Sequence, residues 1–161
     1  MVELAPVLGR LLLRGDAAVV AAAGTAFGVP LPSNACRAES VPPRHALWLG
    51  PDEFLLLLPE PERAAAVTAL TTALAQHPHS LVDISHRQSG LIVTGPTSEN
   101  LLNAGCPLDL DPAIFPVGAC TRTLLGKAEI VLWRTGPSAF HLEVGRSYVP
   151  YVQAFLREAG R

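Results

Sequence analysis

Residues 45–58, HALWLGPDEFLLLL, place two apolar runs of strand length on either side of a Gly50-Pro51-Asp52-Glu53 turn. Trp48 stands before the turn and Phe54 after it. The pattern recurs in WRTGPSAFHL, where Trp133 precedes Gly136-Pro137 and Phe140 follows. Short apolar runs bounded by Gly and Pro are strand signals, and two such runs joined by a tight turn are a hairpin. A stretch of helical periodicity follows each hairpin. The shared physical need is a hairpin whose two aromatics pack on the helix that comes next. Two hairpin-plus-helix segments at matching places in the chain point to a fold of two related halves.

The remaining elements fit that frame. Gly9 to Arg14 (GRLLLR) is a strand. Asp16 is placed to N-cap a helix that runs through Phe27, with Val20, Ala23 and Phe27 as its buried face, and Gly28 and Pro30 end it. Residues 30–43 hold four prolines and read as an ordered connection, not a disordered linker. A helix is predicted from about Glu60 to Gln76, with Val67, Leu70 and Leu74 inward. Strands at 80–85 and 89–95 follow, then a short helix from Pro96 to about Asn103. Strands at 118–125, 128–134 and 139–145 precede a last helix, about 147–159, that buries Val149, Val152 and Phe155/Leu156. The order is β-α-β-β-α-β, then β-α-β-β-β-α. The first set is the split βαβ, ferredoxin-like pattern. The fold class is therefore α+β: two related ferredoxin-like halves, about 8–85 and 88–159, in one compact 161-residue domain, with mainly antiparallel sheet and packed helices.

Composition narrows the function. Net charge is −2 and no basic block occurs, so nucleic acid and membrane surfaces are not expected partners. Charged residues make up 16%, against about 25% in ordinary soluble domains. A chain so short of charge suits a subunit that buries surface against partners. Cys36, Cys106 and Cys120 are odd in number and form no C-x-x-C, which fits free thiols in a reducing compartment. Glu3, Arg10, Arg14 and Asp16 interrupt the N-terminal apolar stretch, so neither a signal peptide nor a membrane span is read there, and a cytoplasmic location is expected.

No phosphate loop, dinucleotide fingerprint, nucleophile elbow or zincin motif is present. His77-Pro78-His79 lies at a helix end with no third ligand near in sequence. Asp109-Leu110-Asp111 lacks the oxygen count and spacing of a calcium loop, and Asp111-Pro112 reads as a turn. Cys106, between Gly105 and Pro107, reads as a packed thiol without a histidine partner. The densest polar stretch is Asp83-Ile84-Ser85-His86-Arg87. Adjacent strand residues point to opposite faces, so Ser85 and His86 diverge and make a poor nucleophile and base. Asp83 and Ser85 share a face, joined by Arg87 if the strand continues. That trio can brace a turn or meet a charged group on a ligand or another chain.

The segments WLGPDEFLLL, DISHRQSGLIVTGP, GCPLDLDPAIFPVGACTRTLLGKAEIVLWRTG and FHLEVGRSYVPYVQAFLREA resemble, in that order over about residues 44–159, the gamma-subunit family of heterotetrameric sarcosine oxidase. The most specific part is Gly105 to Arg134. Phe54 stands where the family is expected to carry Trp and keeps the aromatic role. More distantly, Asp83-x-Ser85-His86 followed by an apolar strand and Gly95-Pro96 is similar to the folate-binding fold of glycine-cleavage aminomethyltransferase. The resemblance implies a fold like that enzyme's folate-binding domain. It implies an assembly with alpha, beta and delta chains that oxidises sarcosine to glycine with oxygen, giving hydrogen peroxide and either formaldehyde or 5,10-methylenetetrahydrofolate. FAD, FMN, NAD and tetrahydrofolate are expected in the partner subunits, with no cofactor, metal or catalytic residue in this chain. Interface candidates are Asp83, Ser85, His86, Arg87, Cys106 and Asp109. Two other readings stand beside this one: a stand-alone folate-binding or one-carbon-transfer protein, and a small thiol enzyme using Cys106.

Overall fold

The computed structural model describes residues 1–161. Its strands, in chain order, are β1 (Val2–Leu4), β2 (Leu8–Gly15), β3 (Ala38–Val41), β4 (Arg44–Gly50), β5 (Glu53–Pro59), β6 (His79–Asp83), β7 (Gln88–Thr94), β8 (Cys120–Leu125), β9 (Ala128–Gly136) and β10 (Ala139–Gly145). The helices are α1 (Ala17–Phe27), α2 (Arg63–Leu74), α3 (Ser98–Asn103) and α4 (Val149–Ala159). Short 3-10 turns at Glu60–Glu62 and Arg146–Tyr148 lead into α2 and α4. None of the helices is long and apolar enough to cross a membrane.

The chain divides into two units, Val7–Ser85 and His86–Arg161, the latter joined by Met1–Pro6. Each has a five-stranded antiparallel sheet. The first has the order β3-β4-β5-β2-β6 and the second β1-β7-β10-β9-β8. Without its outer strand β3, the first sheet has the ferredoxin-like strand order. The second repeats it: β7, β9, β10, α3 and α4 take the places of β2, β4, β5, α1 and α2. Its last place, filled in the first unit by β6, is filled by β1, with Val2, Glu3 and Leu4 paired to Val93, Ile92 and Leu91.

Two strands thus lie outside the sequence reading. Residues 30–43 were read only as an ordered connection, and they contain β3. It is an exposed edge strand with no apolar alternation to announce it. The N-terminal residues were assigned to neither half. Strand β1 is three residues long, too short for periodicity, and its partner is distant in sequence.

Within the first unit, alternation along β2 and β5 turns Leu11, Leu13, Phe54, Leu56 and Leu58 toward one core with Val19, Phe27, Leu70 and Leu74 of α1 and α2. The opposite residues Leu47, Leu55 and Leu57 are also buried, which is why β5 reads as an unbroken apolar run. Asp16 caps α1, its Oδ1 accepting from the amides of Ala18 and Val19 at 3.0 and 3.1 Å. The buried row of α1 is Val19, Ala23 and Phe27, spaced by four; Val20, expected inward, flanks the core. Likewise Ala66 takes the inward place expected of Val67 in α2. In the second unit Leu91, Val93, Leu132, Phe140, Leu142 and Val144 face Leu102, Val152 and Leu156. The repeated Trp pair aligns differently from the sequence match. Phe54 is paired to Trp48, whereas Phe140 is paired to Arg134, so Arg134 and not Trp133 holds the place of Trp48.

Candidate functional site

Strand β6 ends at Asp83, and residues 85–87 form a turn. Arg87 therefore does not join Asp83 and Ser85 on one strand face; the first unit ends at Ser85 and the second resumes at His86. Asp83 Oδ1 accepts from the Ser85 amide at 3.0 Å and its hydroxyl at 2.6 Å. Its Oδ2 accepts from the Arg63 guanidinium at the start of α2. Ser85 Oγ also accepts from the Arg10 amide at 2.8 Å, which ties the turn to β2. Partial burial raises the pKa of Asp83, but the Ser85 hydroxyl and amide and the Arg63 cation outweigh it, and the net shift is downward. Hydrogen bonds to Asp83, chiefly, and to Glu60 raise the pKa of Arg63. This half of the stretch braces a chain reversal. His86 and Arg87 are exposed.

The Gly105–Arg134 segment is organised around Arg134, which is fully buried. Its guanidinium donates to the Leu110 carbonyl, to the Pro137 carbonyl at 2.7 Å and to Glu99 Oε1 at 2.7 Å. It lies over the Phe140 ring, 4.6 Å from the centroid. One side chain thus fastens the long loop, the β9–β10 turn and α3. Its Nε has no partner. Asp109 is exposed and accepts from the Asp111 amide at 2.9 Å, and Asp111 Oδ1 accepts from the Ala113 amide at 2.8 Å. Cys106 is buried in the core with Sγ 3.8 Å from Thr123 Oγ1. Beside it Gly105 is required by close approach: a Cβ there would stand 2.4 Å from Phe155 Cζ of α4.

One polar pair escapes the sequence reading. His141 and Glu143, alternate residues of β10, are both buried, with Nε2 2.7 Å from Oε1. Strand alternation in FHLEV marks them only as facing away from the helices. The Trp133 ring lies 6.0 Å from that of His141. Gly90, paired to Glu143, leaves space for the imidazole; a Cβ there would lie 3.0 Å from His141 Cε1. Cys120 and His141 both pair with Trp133, on β8 and β10.

The chemistry these groups support is structural. The bonds of Asp83, Ser85, Cys106 and Asp109 run to one another, to backbone groups, to Arg63 or to Thr123, and none reaches a histidine. No cluster of three or more His, Cys, Asp or Glu is placed to hold a metal. A dinucleotide pyrophosphate does not fit the β2–α1 turn, because the Asp16 carboxylate already occupies the helix N-terminus and would repel it.

Comparison with known proteins follows from this geometry. The family model described as "Sarcosine oxidase, gamma subunit family" matches residues 14–161. The sarcosine oxidase subunit gamma of Corynebacterium sp. (strain P-1) is 36% identical over 145 residues, covering 90% of this chain and 69% of that protein. The chain spans 61 to 69% of the length of the curated relatives it matches. A chain of the heterotetrameric sarcosine oxidase from Corynebacterium sp. U-96, solved with pyrrole 2-carboxylate, superposes with a TM-score of 0.92 at 32% identity, over 99% of this chain and 82% of that one. Glycine cleavage system aminomethyltransferase T from Bartonella henselae shares the fold, with a TM-score of 0.70 at 11% identity over 96% of this chain and 44% of its own.

Proposed function

The chain belongs to the sarcosine oxidase gamma subunit family, and from that premise we propose that it serves as a structural and assembly subunit of a heterotetrameric sarcosine oxidase. The observation that carries the reading is its superposition, over nearly its whole length, on a chain of such a complex. In this reading its partners are alpha, beta and delta chains. The complex demethylates sarcosine oxidatively to glycine, with hydrogen peroxide and formaldehyde or 5,10-methylenetetrahydrofolate as the other products. FAD, FMN, NAD and tetrahydrofolate reside in the partner chains. This chain adds shape and surface. Its polar groups are consistent with that role, since Asp83, Ser85 and Arg134 are engaged in holding its own loops.

Asp83 and Ser85 contribute by fixing the turn that presents His86 and Arg87, while Cys106 and Asp109 shape the loop that Arg134 fastens. The test is a tagged pull-down at near-physiological salt, reading flavin absorbance and the identity of co-purifying chains. Three further chains with bound flavin are expected. A lone, colourless chain would overturn the reading and favour a stand-alone folate binder, which a tetrahydrofolate titration would then detect.

A further inference from the structure

In the second unit, a recess of about 690 Å³ is lined by Arg87, Gly145, Arg146, Ser147 and Tyr148. The Arg146 amide donates to the Arg87 carbonyl at 2.9 Å, which fixes the two segments together. Both arginines are exposed, and neither guanidinium has a carboxylate or hydrogen-bond partner in the chain. Tyr148 beside them is 47% exposed.

The first unit provides an internal comparison. Its matching connection, from β5 to α2, reads Pro59-Glu60-Pro61-Glu62. There the carboxylates are supplied from within: Arg63 Nη2 lies 3.1 Å from Glu60, and Arg44 Nη2 lies 2.7 Å from Glu62. The connection from β10 to α4 keeps the 3-10 turn but reads Gly145-Arg146-Ser147-Tyr148, with no acid, and the first turn of α4 has none either. The duplicated fold thus has arginines satisfied by its own acids at one connection and arginines left to solvent at the other.

We propose that this recess is the docking surface for a carboxylate-bearing segment of a partner chain, with Arg87 and Arg146 each receiving an acidic side chain and Tyr148 packing over the contact. This rests on the assembly reading above. Planar guanidinium forks suit carboxylates, and Arg and Tyr are enriched at the centres of protein interfaces. A small anion is the weaker match, because the lining side chains stand in solvent whereas small-molecule sites enclose most of their ligand.

The test uses the co-expressed complex, comparing the tagged wild-type chain with R87A/R146A, R87E/R146E and R157A on the exposed side of α4. At physiological salt the alanine pair is expected to retain about tenfold less of the partner chains, and the glutamate pair less still. R157A is expected to match wild type, and wild-type retention is expected to fall as salt rises from about 50 to about 500 mM. Poly-glutamate displaces the partners, while inorganic phosphate at equal ionic strength does so far less. Wild-type retention by the glutamate pair, or equal displacement by phosphate, overturns the proposal. If the glutamate pair lowers the melting temperature, R87Q/R146Q decides, and unchanged retention there also overturns it. A wild-type chain that retains no partner removes the assembly reading itself, and with it this proposal.

Discussion

Arg134 and Asp83 both tie loops to the framework, but at different depths, and their variants should behave differently. Arg134 is fully buried, so Arg134→Met leaves the carbonyls of Leu110 and Pro137 short of a donor and Glu99 short of its cation. A loss of about 2–4 kcal/mol is expected, read as a lower denaturation midpoint. Asp83 is partly solvated and its effect is one of pH. Its folded pKa lies below the ordinary value of 3.8, so its contribution to stability is fully present above that value and is lost as pH falls through the folded pKa. The stability gap between wild type and Asp83→Asn should therefore be constant near neutrality and narrow below about pH 4, measured by denaturant melts across pH. These residues also differ in how legible they were. Asp83 and Ser85 are two apart at a strand end, and their bond to each other follows from local geometry. Arg134 looks in the sequence like one polar residue after a Trp, because two of its partners, Leu110 and Glu99, lie 24 and 35 positions away.

Elements with strong local patterns were readable, and elements defined by their partners were not. The two Gly-Pro hairpins and the four helices announce themselves through turn chemistry and apolar spacing. Strands β1 and β3 do not, since one has three residues and the other is exposed throughout most of its length. The consequence for β1 can be tested. Its removal unpairs the edge of β7 along Leu91–Val93, an apolar strand, so a chain lacking residues 1–6 should self-associate more and melt lower than the full chain. Equal behaviour in light scattering and thermal melts would contradict the assigned sheet order. The packing of α4 against the long loop gives a second test. Gly105→Ala forces Phe155 to move and should cost about 1–3 kcal/mol in a denaturant melt, although Ala has the better intrinsic propensity.

Across the whole molecule, duplication explains more than composition does. Two units share one strand order, and they differ where the first supplies acids and the second supplies arginines. The low charge content pointed to a subunit, and the family match agrees with it. The candidate turn was visible in the sequence, but its division was not: Asp83 and Ser85 serve the first unit, while His86 and Arg87 belong to the second. The buried His141–Glu143 pair was invisible, because alternation reports direction and not what covers a face.

Under the proposed function this chain contributes structure, and the catalytic groups belong to its partners. The most direct measurement is turnover per mole of bound flavin in the intact complex carrying H86Q/H141Q, which replaces the histidine on the exposed turn and the one in the buried pair. The account predicts turnover within about twofold of wild type, since it assigns the exposed His86 no chemical role and the His141–Glu143 pair a role in packing. A fall of about 100-fold or more, at full assembly and full flavin content, is the signature of a lost general acid or base and would contradict it.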